Sequence, residues 1–425
     1  MNNAAYSKYD AYRDSGVQWV GQFPANWELA RLGGLFEERR HKVSDTDFEP
    51  LSVTKNGIFP QLANAAKTND GENRKLVRAG DFVINSRSDR KGSSGISPLD
   101  GSVSLINIVL EPKRILPEFC HHLLKSYAFV EEYYRVGRGI VADLWTTRYD
   151  EMRTILIALP SPDEQRAIAA FLDGKCATID EAVRIKEEQI RLLAERRQIL
   201  IQEAVTRGLN PDAPMKDSGI DWIGQIPAHW EVKRLKHLSE IFRGKFTHRP
   251  RNDPRLYDGE YPFFQTGDVA RAGMFLSEYR QTLNEAGLRV STLIPKGTIL
   301  ITIAANIGDV TILDIDGCFP DSVVGFKPRP EIERDFLYYS MSAMKTIFMN
   351  NSIANAQANL NVDRIGGITV CLPPKAEQNV IMEYVQTANE KTDRAIGVKE
   401  SQITALREYK TSLINAAVTG KIKVL

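Results

Sequence analysis

Two stretches of this chain carry the same heptad pattern in the same register. The first runs from Ser161 to Gly208 and the second from Pro374 to Gly420. In the first, Ile179, Val183, Lys186, Ile190, Leu193, Arg197, Leu200 and Ala204 alternate at spacings of four and three, the a/d seam of a coiled coil. In the second, 213 residues on, the seam reads Thr392, Ile396, Lys399, Ile403, Leu406, Lys410, Leu413 and Ala417. Even the two interrupting cations recur. Two helices with one seam in one chain most simply bury it against each other, and polar residues in a seam fix register at some cost in stability.

Local signals agree with the periodicity. Ser161 can cap the first helix, Pro162 suits its first position, and Glu164 can complete a capping box. Gly208 suits a left-handed stop. A stretch of about 45 residues makes a rod of roughly 65–70 Å, against ~11–12 residues for an ordinary helix. Pro374 stands where the first copy has Ser161, so the second box is incomplete.

A second repeat sets the architecture. DSGVQWVGQFPANWELARL, from Asp14 to Leu32, returns as DSGIDWIGQIPAHWEVKRL, from Asp217 to Leu235, at an offset of 203. The order is therefore globular unit, helix, globular unit, helix. The expected divisions are 1–160, 161–208, 209–373 and 374–425. The fold class is α+β: two pseudo-repeated mixed α/β domains separated by two long antiparallel helices that form a coiled coil. Trp19, Trp27, Trp222 and Trp230 recur in the landmarks and read as packing anchors, with base stacking the weaker alternative.

Within the first unit, PLSVT, RKLVRAGDFVIN and GSVSLINIVLEP read as strands. Pro117 opens a helix, with His121 and His122 adjacent and so on different faces. MRTILIALP reads as a strand feeding the long helix. The second unit follows the same order, with a helix from Arg334 to about Met349. Between the landmarks the two units look dissimilar, most of all in 37–74 against 241–287. A repeated frame with diverged loops suits two platforms that recognise different things.

At 425 residues, two to three domains are expected. No apolar run reaches the ~20 residues of a membrane span. Cys120, Cys176, Cys318 and Cys371 form no CxxC, and the histidines have no ligand spacing, so a cytoplasmic chain with reduced thiols and no structural zinc is expected. The net charge of +1 is low for a protein that holds DNA alone. Nucleic-acid binding would use local basic patches or charge borrowed from a partner.

These landmarks carry a resemblance. The paired DSG-W-GQ-P-W-E-RL openings, the LPSPDEQ and LPPKAEQ strand-to-helix junctions, VRAGDFVINSR with DGSVS, and IPKGTILITIAANIGD together make the chain resemble the specificity subunit of type I restriction-modification systems. The resemblance covers essentially the whole chain. It implies that each globular unit is a target recognition domain reading one half of a split DNA site, and that the helices set the unread gap. It implies double-stranded DNA, two methyltransferase subunits and restriction/translocase subunits as partners, with no membrane. S-adenosylmethionine, ATP and magnesium would belong to those partners, and this chain would hold no cofactor and do no chemistry.

The residues agree with the last point. The chain has no phosphate-cradling GxxxxGK[ST] and no NPPY-like methyltransferase motif. A fused enzyme would need a catalytic segment, and none is left over. A pure protein-binding scaffold fits the diverged loops less well. For DNA contact, Arg and Lys suit phosphates, Arg suits guanine, and Asn or Gln suits adenine. In the first unit this selects Arg87, Arg90 and Lys91 in the SRSDRKGSSG loop, with Arg135 and Arg138. In the second it selects Arg243, Lys245, Arg249, Arg251, Gln265, Arg271, Asn306, Gln357 and Asn359.

Overall fold

The computed structural model describes residues 6–62, 71–139, 145–353 and 362–424. The chain divides into two compact units. The first comprises 1–187 and 399–425, and the second comprises 188–398. Eleven α-helices are named in chain order among the described residues. The first unit holds α1 (Pro117–Lys125), α2 (Tyr127–Arg135) and α3 (Tyr149–Met152). The long helix α4 (Pro162–Arg207) is shared by both units. The second unit holds α5 (Leu235–Leu238), α6 (Thr266–Arg271), α7 (Glu285–Arg289), α8 (Arg334–Ser342), α9 (Lys345–Ile353) and α10 (Val362–Gly367). The second long helix, α11 (Lys375–Val418), is again shared.

The repeated landmarks turn out to be two halves of one frame. In the first unit the WELAR stretch forms the strand Glu28–Arg31, which pairs antiparallel with Leu156–Leu159, the strand that feeds α4. In the second, Glu231–Arg234 pairs in the same way with Thr369–Leu372, the strand that feeds α11. The DSG…GQ.P stretch is a small antiparallel strap in each unit, Tyr12–Asp14 with Gln22–Pro24 and Met215–Asp217 with Gln225–Pro227.

The core sheet repeats as well, where the sequences look unrelated. In the first unit its order is Ser94–Ile96, Phe82–Asn85, Asn107–Pro112, Phe36–Glu38. In the second it is Val310–Leu313, Ile299–Thr302, Val323–Pro328, Ser239–Arg243, with Phe275–Leu276 added in parallel at the edge. Phe82, Val83 and Ile84 are fully buried, as are Ile299, Leu300 and Ile301. What repeats is therefore burial and strand order. Apart from that edge strand, the unmatched parts lie outside the sheet. The first unit adds a hairpin, Leu51–Thr54 with Gly57–Pro60, and the second adds α6, α7 and the pair Tyr257–Phe263 with Gln281–Leu283.

The seam residues behave as the heptads predict. Ile179, Ala204, Ile403, Leu406, Leu413 and Ala417 are buried. Val183, Lys186, Ile190, Leu193, Arg197, Leu200, Ile396, Lys399 and Lys410 are half-buried. Ion pairs across the seam give the helix direction. Lys410 donates to both oxygens of Asp180 at 2.7 Å, and Arg407 to Glu187 at 2.9 Å, in the first unit. In the second unit Arg197 donates to Asp393 at 2.6 Å. In the second unit Ala204 and Val205 also cluster with Ile381 and Val385. Within each unit the residue number therefore rises on one helix as it falls on the other, and the helices are antiparallel.

Each long helix stops against a tryptophan. Gly208 and Gly420 adopt φ of +72° and +70°, the left-handed conformation that favours glycine. A Cβ on Gly420 would lie 2.3 Å from Pro24 and 3.2 Å from Trp27, and one on Gly208 would lie 3.1 Å from Trp230. Trp27 and Trp230 are fully buried, and Trp19 stands edge-on to Phe129 at 5.9 Å. The tryptophans are packing anchors.

Three local expectations are corrected. The single helix from Pro117 is two, because Ser126 takes an extended backbone and its Oγ accepts the amide of Phe129 at 3.3 Å, capping α2. The helix from Arg334 is likewise two, α8 and α9. At the start of α4 the amide of Glu164 donates to Ser161 Oγ at 3.4 Å, but the Glu164 carboxylate accepts the Tyr9 hydroxyl at 2.5 Å. The serine caps, while the glutamate ties the helix to the N-terminal segment.

Candidate nucleic-acid interface

In the first unit the five selected cations come together. The loop after Phe82–Asn85 carries Arg87, Arg90 and Lys91, and the end of α2 carries Arg135 and Arg138. Thr146 joins them: it exchanges two backbone hydrogen bonds of 3.0 Å with Arg138 and forms a β-bridge with Arg87. The next amide, Thr147, donates to Ser86 at 3.0 Å. Lys91 donates to Glu131 at 2.7 Å and lies 5.5 Å from the Tyr134 ring centre, so the loop is clipped to α2. Gly137 makes the crossing possible, since a Cβ there would sit 2.4 Å from the Trp145 indole nitrogen.

These cations differ in commitment. Arg135 makes two bonds to Glu132, at 2.6 and 2.7 Å, and that carboxylate raises its pKa. Arg138 has an 84% exposed side chain, and its contact with Glu151 is 3.5 Å. Arg87 and Arg90 are also exposed.

In the second unit the selected residues within the described chain fall in three places, two of them organised by an aspartate. Arg243 donates to the Asp321 carbonyl at 2.5 Å, and Arg249 and Arg251 both reach the Asp321 carboxylate. Lys245 joins them through its amide, which donates to the Phe319 carbonyl at 3.1 Å. Gln265 and Arg271 share Asp268. Asn306 is exposed in the loop 303–309, where Lys345 of α9 donates to Asp309 at 2.5 Å. Gln357 and Asn359 lie outside the described residues. Sequence reasoning passed over Gln281, whose side chain is bonded to Gln265 at 3.1 Å, and the exposed aromatics Phe275 and Tyr279. Their clearest signal was position, in the segment where the two units diverge most.

The loops 86–93 and 303–309 occupy equivalent places. Each follows the same core strand, Phe82–Asn85 or Ile299–Thr302, and each is clipped by a lysine–carboxylate pair to the second helix of its pair, α2 or α9. One scaffold thus presents SRSDRKG in one unit and IAANIGD in the other.

Residues 227–404 match the family model described as the type I restriction modification DNA specificity domain. The second half of the chain thus carries the match to a DNA specificity domain, and the chain over nearly its whole length is similar to type I restriction-modification specificity subunits. It is 24% identical over 436 residues to the type I restriction enzyme MjaVIII specificity subunit of Methanocaldococcus jannaschii, covering 94% of each chain. Its fold is similar to that of the HsdS subunit from Thermoanaerobacter tengcongensis, with a TM-score of 0.53 at 19% identity over 96% of this chain and 100% of that one. A chain from a structure of complex assembly and conformational transition of the type I R-M system gives a TM-score of 0.68 at 18% identity, covering 93% of this chain and 98% of that one.

A specificity subunit is a DNA-recognition component and is non-catalytic. Among the described residues no cluster of three or more His, Cys, Asp or Glu could hold a metal ion, and no helix is long and apolar enough to cross a membrane. All four cysteines are buried and free.

Proposed function

We propose that each unit reads one half of a split, asymmetric DNA site, and that the helix pair sets the gap between the halves. The observation that carries this reading is the pair of equivalent loops, 86–93 and 303–309, on one repeated sheet with different side chains. Repetition of the scaffold suits two equivalent positions along a duplex, and divergence of the loops suits two different sequences. At about 1.5 Å per residue the 46 residues of α4 span roughly 69 Å, room for half-sites a turn of B-DNA or more apart (~34 Å).

The same helices dock two methyltransferase subunits. Within the second unit α4 leaves Leu192 and Ile199 exposed at seven-residue spacing, off the seam. Restriction/translocase subunits complete the assembly. S-adenosylmethionine, ATP and magnesium sit on those partners, and the work is cytoplasmic, where DNA and reduced thiols coexist. Replacing residues 36–150 with the matching segment of another specificity subunit tests the proposal. It should change one half of the methylated motif and leave the other half intact. A change in both halves, or in neither, would contradict it.

A further inference from the structure

Gln281 stands in an unusual setting for an exposed glutamine. Its Oε1 accepts from Nε2 of Gln265 at 3.1 Å. Both side chains spring from fixed backbone. Gln281 opens the strand Gln281–Leu283 and pairs with Phe263, which is 1% exposed. Gln265 directly precedes α6, and its amide donates to Oδ2 of Asp268 at 2.8 Å. Asp268 is buried, and its other oxygen accepts from Arg271. One buried carboxylate therefore holds both the glutamine that orients Gln281 and a neighbouring guanidinium. Locking a side chain through a second layer of hydrogen bonds is how a binding geometry is preorganised.

The chemistry left over on Gln281 is specific. A carboxamide has two N–H donors and two acceptor lone pairs. The bond to Gln265 uses one lone pair, so Nε2 and the second lone pair of Oε1 remain. If both amides were turned over, Gln281 would still keep one donor hydrogen and its oxygen. Adenine is the base whose major-groove edge sets an acceptor, N7, beside a donor, N6–H. Asp268, which holds Gln265, and Arg280, the neighbour of Gln281, line a cleft of about 420 Å³ together with Arg271, Phe275, Tyr279 and Glu278. Guanidinium and aromatic groups together suit phosphates and bases.

We infer that Gln281 reads one adenine in the half-site of the second unit, with Gln265 as its positioning residue. The inference rests on the reading that this unit contacts DNA bases. Gln265 and Asp268 fix the plane of the reading amide, and the arginines flank it for the neighbouring phosphates or a guanine.

The test uses the full chain assembled with its methyltransferase subunits and a library of duplexes randomised in the second half-site. Methylated products are sequenced. Gln281→Ala should relax one A·T position by roughly 5- to 150-fold, the discrimination of one bidentate base contact. Gln281→Glu keeps the size but offers only acceptors, so the same position should shift toward cytosine, whose N4 donates. Gln265→Ala should weaken the adenine preference at that position without redirecting it. The first half-site should be unchanged throughout. A split wild-type motif whose second half keeps every preference in Gln281→Ala and Gln281→Glu, or loses all of them equally, overturns the inference alone. A wild-type complex with no split motif overturns it together with the reading beneath it.

Discussion

Gln165 and Gln378, 213 residues apart in the chain, make the same two hydrogen bonds. Oε1 of Gln165 accepts the amide of Leu116 at 2.9 Å, and its Nε2 donates to the carbonyl of Pro160 at 2.9 Å. Oε1 of Gln378 accepts the amide of Glu333 at 2.8 Å, and its Nε2 donates to the carbonyl of Pro373 at 3.0 Å. Both side chains are 1% exposed. Leu116 and Glu333 are the residues just before α1 and α8. Each glutamine thus fixes the start of a long helix to the start of the helical pair in its own unit. Replacing either by leucine leaves a backbone N–H and a carbonyl without their partner. A buried unsatisfied group costs about 1–3 kcal/mol, so Gln165→Leu and Gln378→Leu should each lower the urea midpoint by a corresponding amount. Because the two lie in different units, their effects should be independent, and the double variant checks this by additivity.

The ion pairs across the seam make a second matched set. Asp180 with Lys410 and Asp393 with Arg197 are related by the same offset of 213. The carboxylates are 61% and 65% exposed, so each pair should contribute less than about 1 kcal/mol. Their value lies in register, because a shifted helix would set these cations against the wrong positions. Asp180→Lys should destabilise the first unit, and adding Lys410→Asp should restore most of the loss. A double-mutant cycle at low and high salt measures the coupling, which should shrink with salt.

Two adjacent histidines on α1 give a pH dependence. Burial pushes the His121 pKa down to about 4 and also lowers that of His122, although His122 Nε2 lies 2.8 Å from Asp173 Oδ1. The unfolded value is near 6.5. The folded state therefore binds fewer protons between these values, and stability falls as pH drops from about 6.5 toward about 4. Denaturant midpoints across this range should show that slope, and His121→Asn should flatten it.

Asp321 holds the Arg249 and Arg251 side chains, and DNA phosphates would have to compete with it. Asp321→Asn should raise non-specific duplex affinity and steepen its salt dependence, since each added phosphate contact increases the slope by about 0.9. Arg90→Gln in the first unit should act in the opposite direction, weakening binding on all sequences. Filter binding across a salt titration measures both. The wild-type chain alone should bind weakly and salt-sensitively, as its net charge of +1 suggests.

The frame was legible in the sequence because it depends on periodicity and on backbone requirements. Heptad spacing gave the seam, and Gly208 and the DSG turns marked places where only certain backbones fit. The repeat of the core sheet was not legible. Phe82–Asn85 and Ile299–Thr302 share burial and strand order, and apolar residues of similar size substitute freely under that constraint. The break at Ser126 was hidden because the apolar spacing runs on through it. The proposed recognition surface was partly legible: the SRSDRKG cations lie in one loop and stay together, whereas Gln281 becomes visible only when the fold sets it against Gln265, sixteen residues away in sequence.

The central claim, that one chain reads two unlike half-sites for its partners, is tested most directly by methylome sequencing. DNA would be taken from cells expressing this chain with and without its methyltransferase subunit. The account predicts modified adenine in a split, asymmetric motif that appears only when both are present. No new modification, alongside a methyltransferase shown to be active with another specificity subunit, would contradict it, as would a palindromic motif.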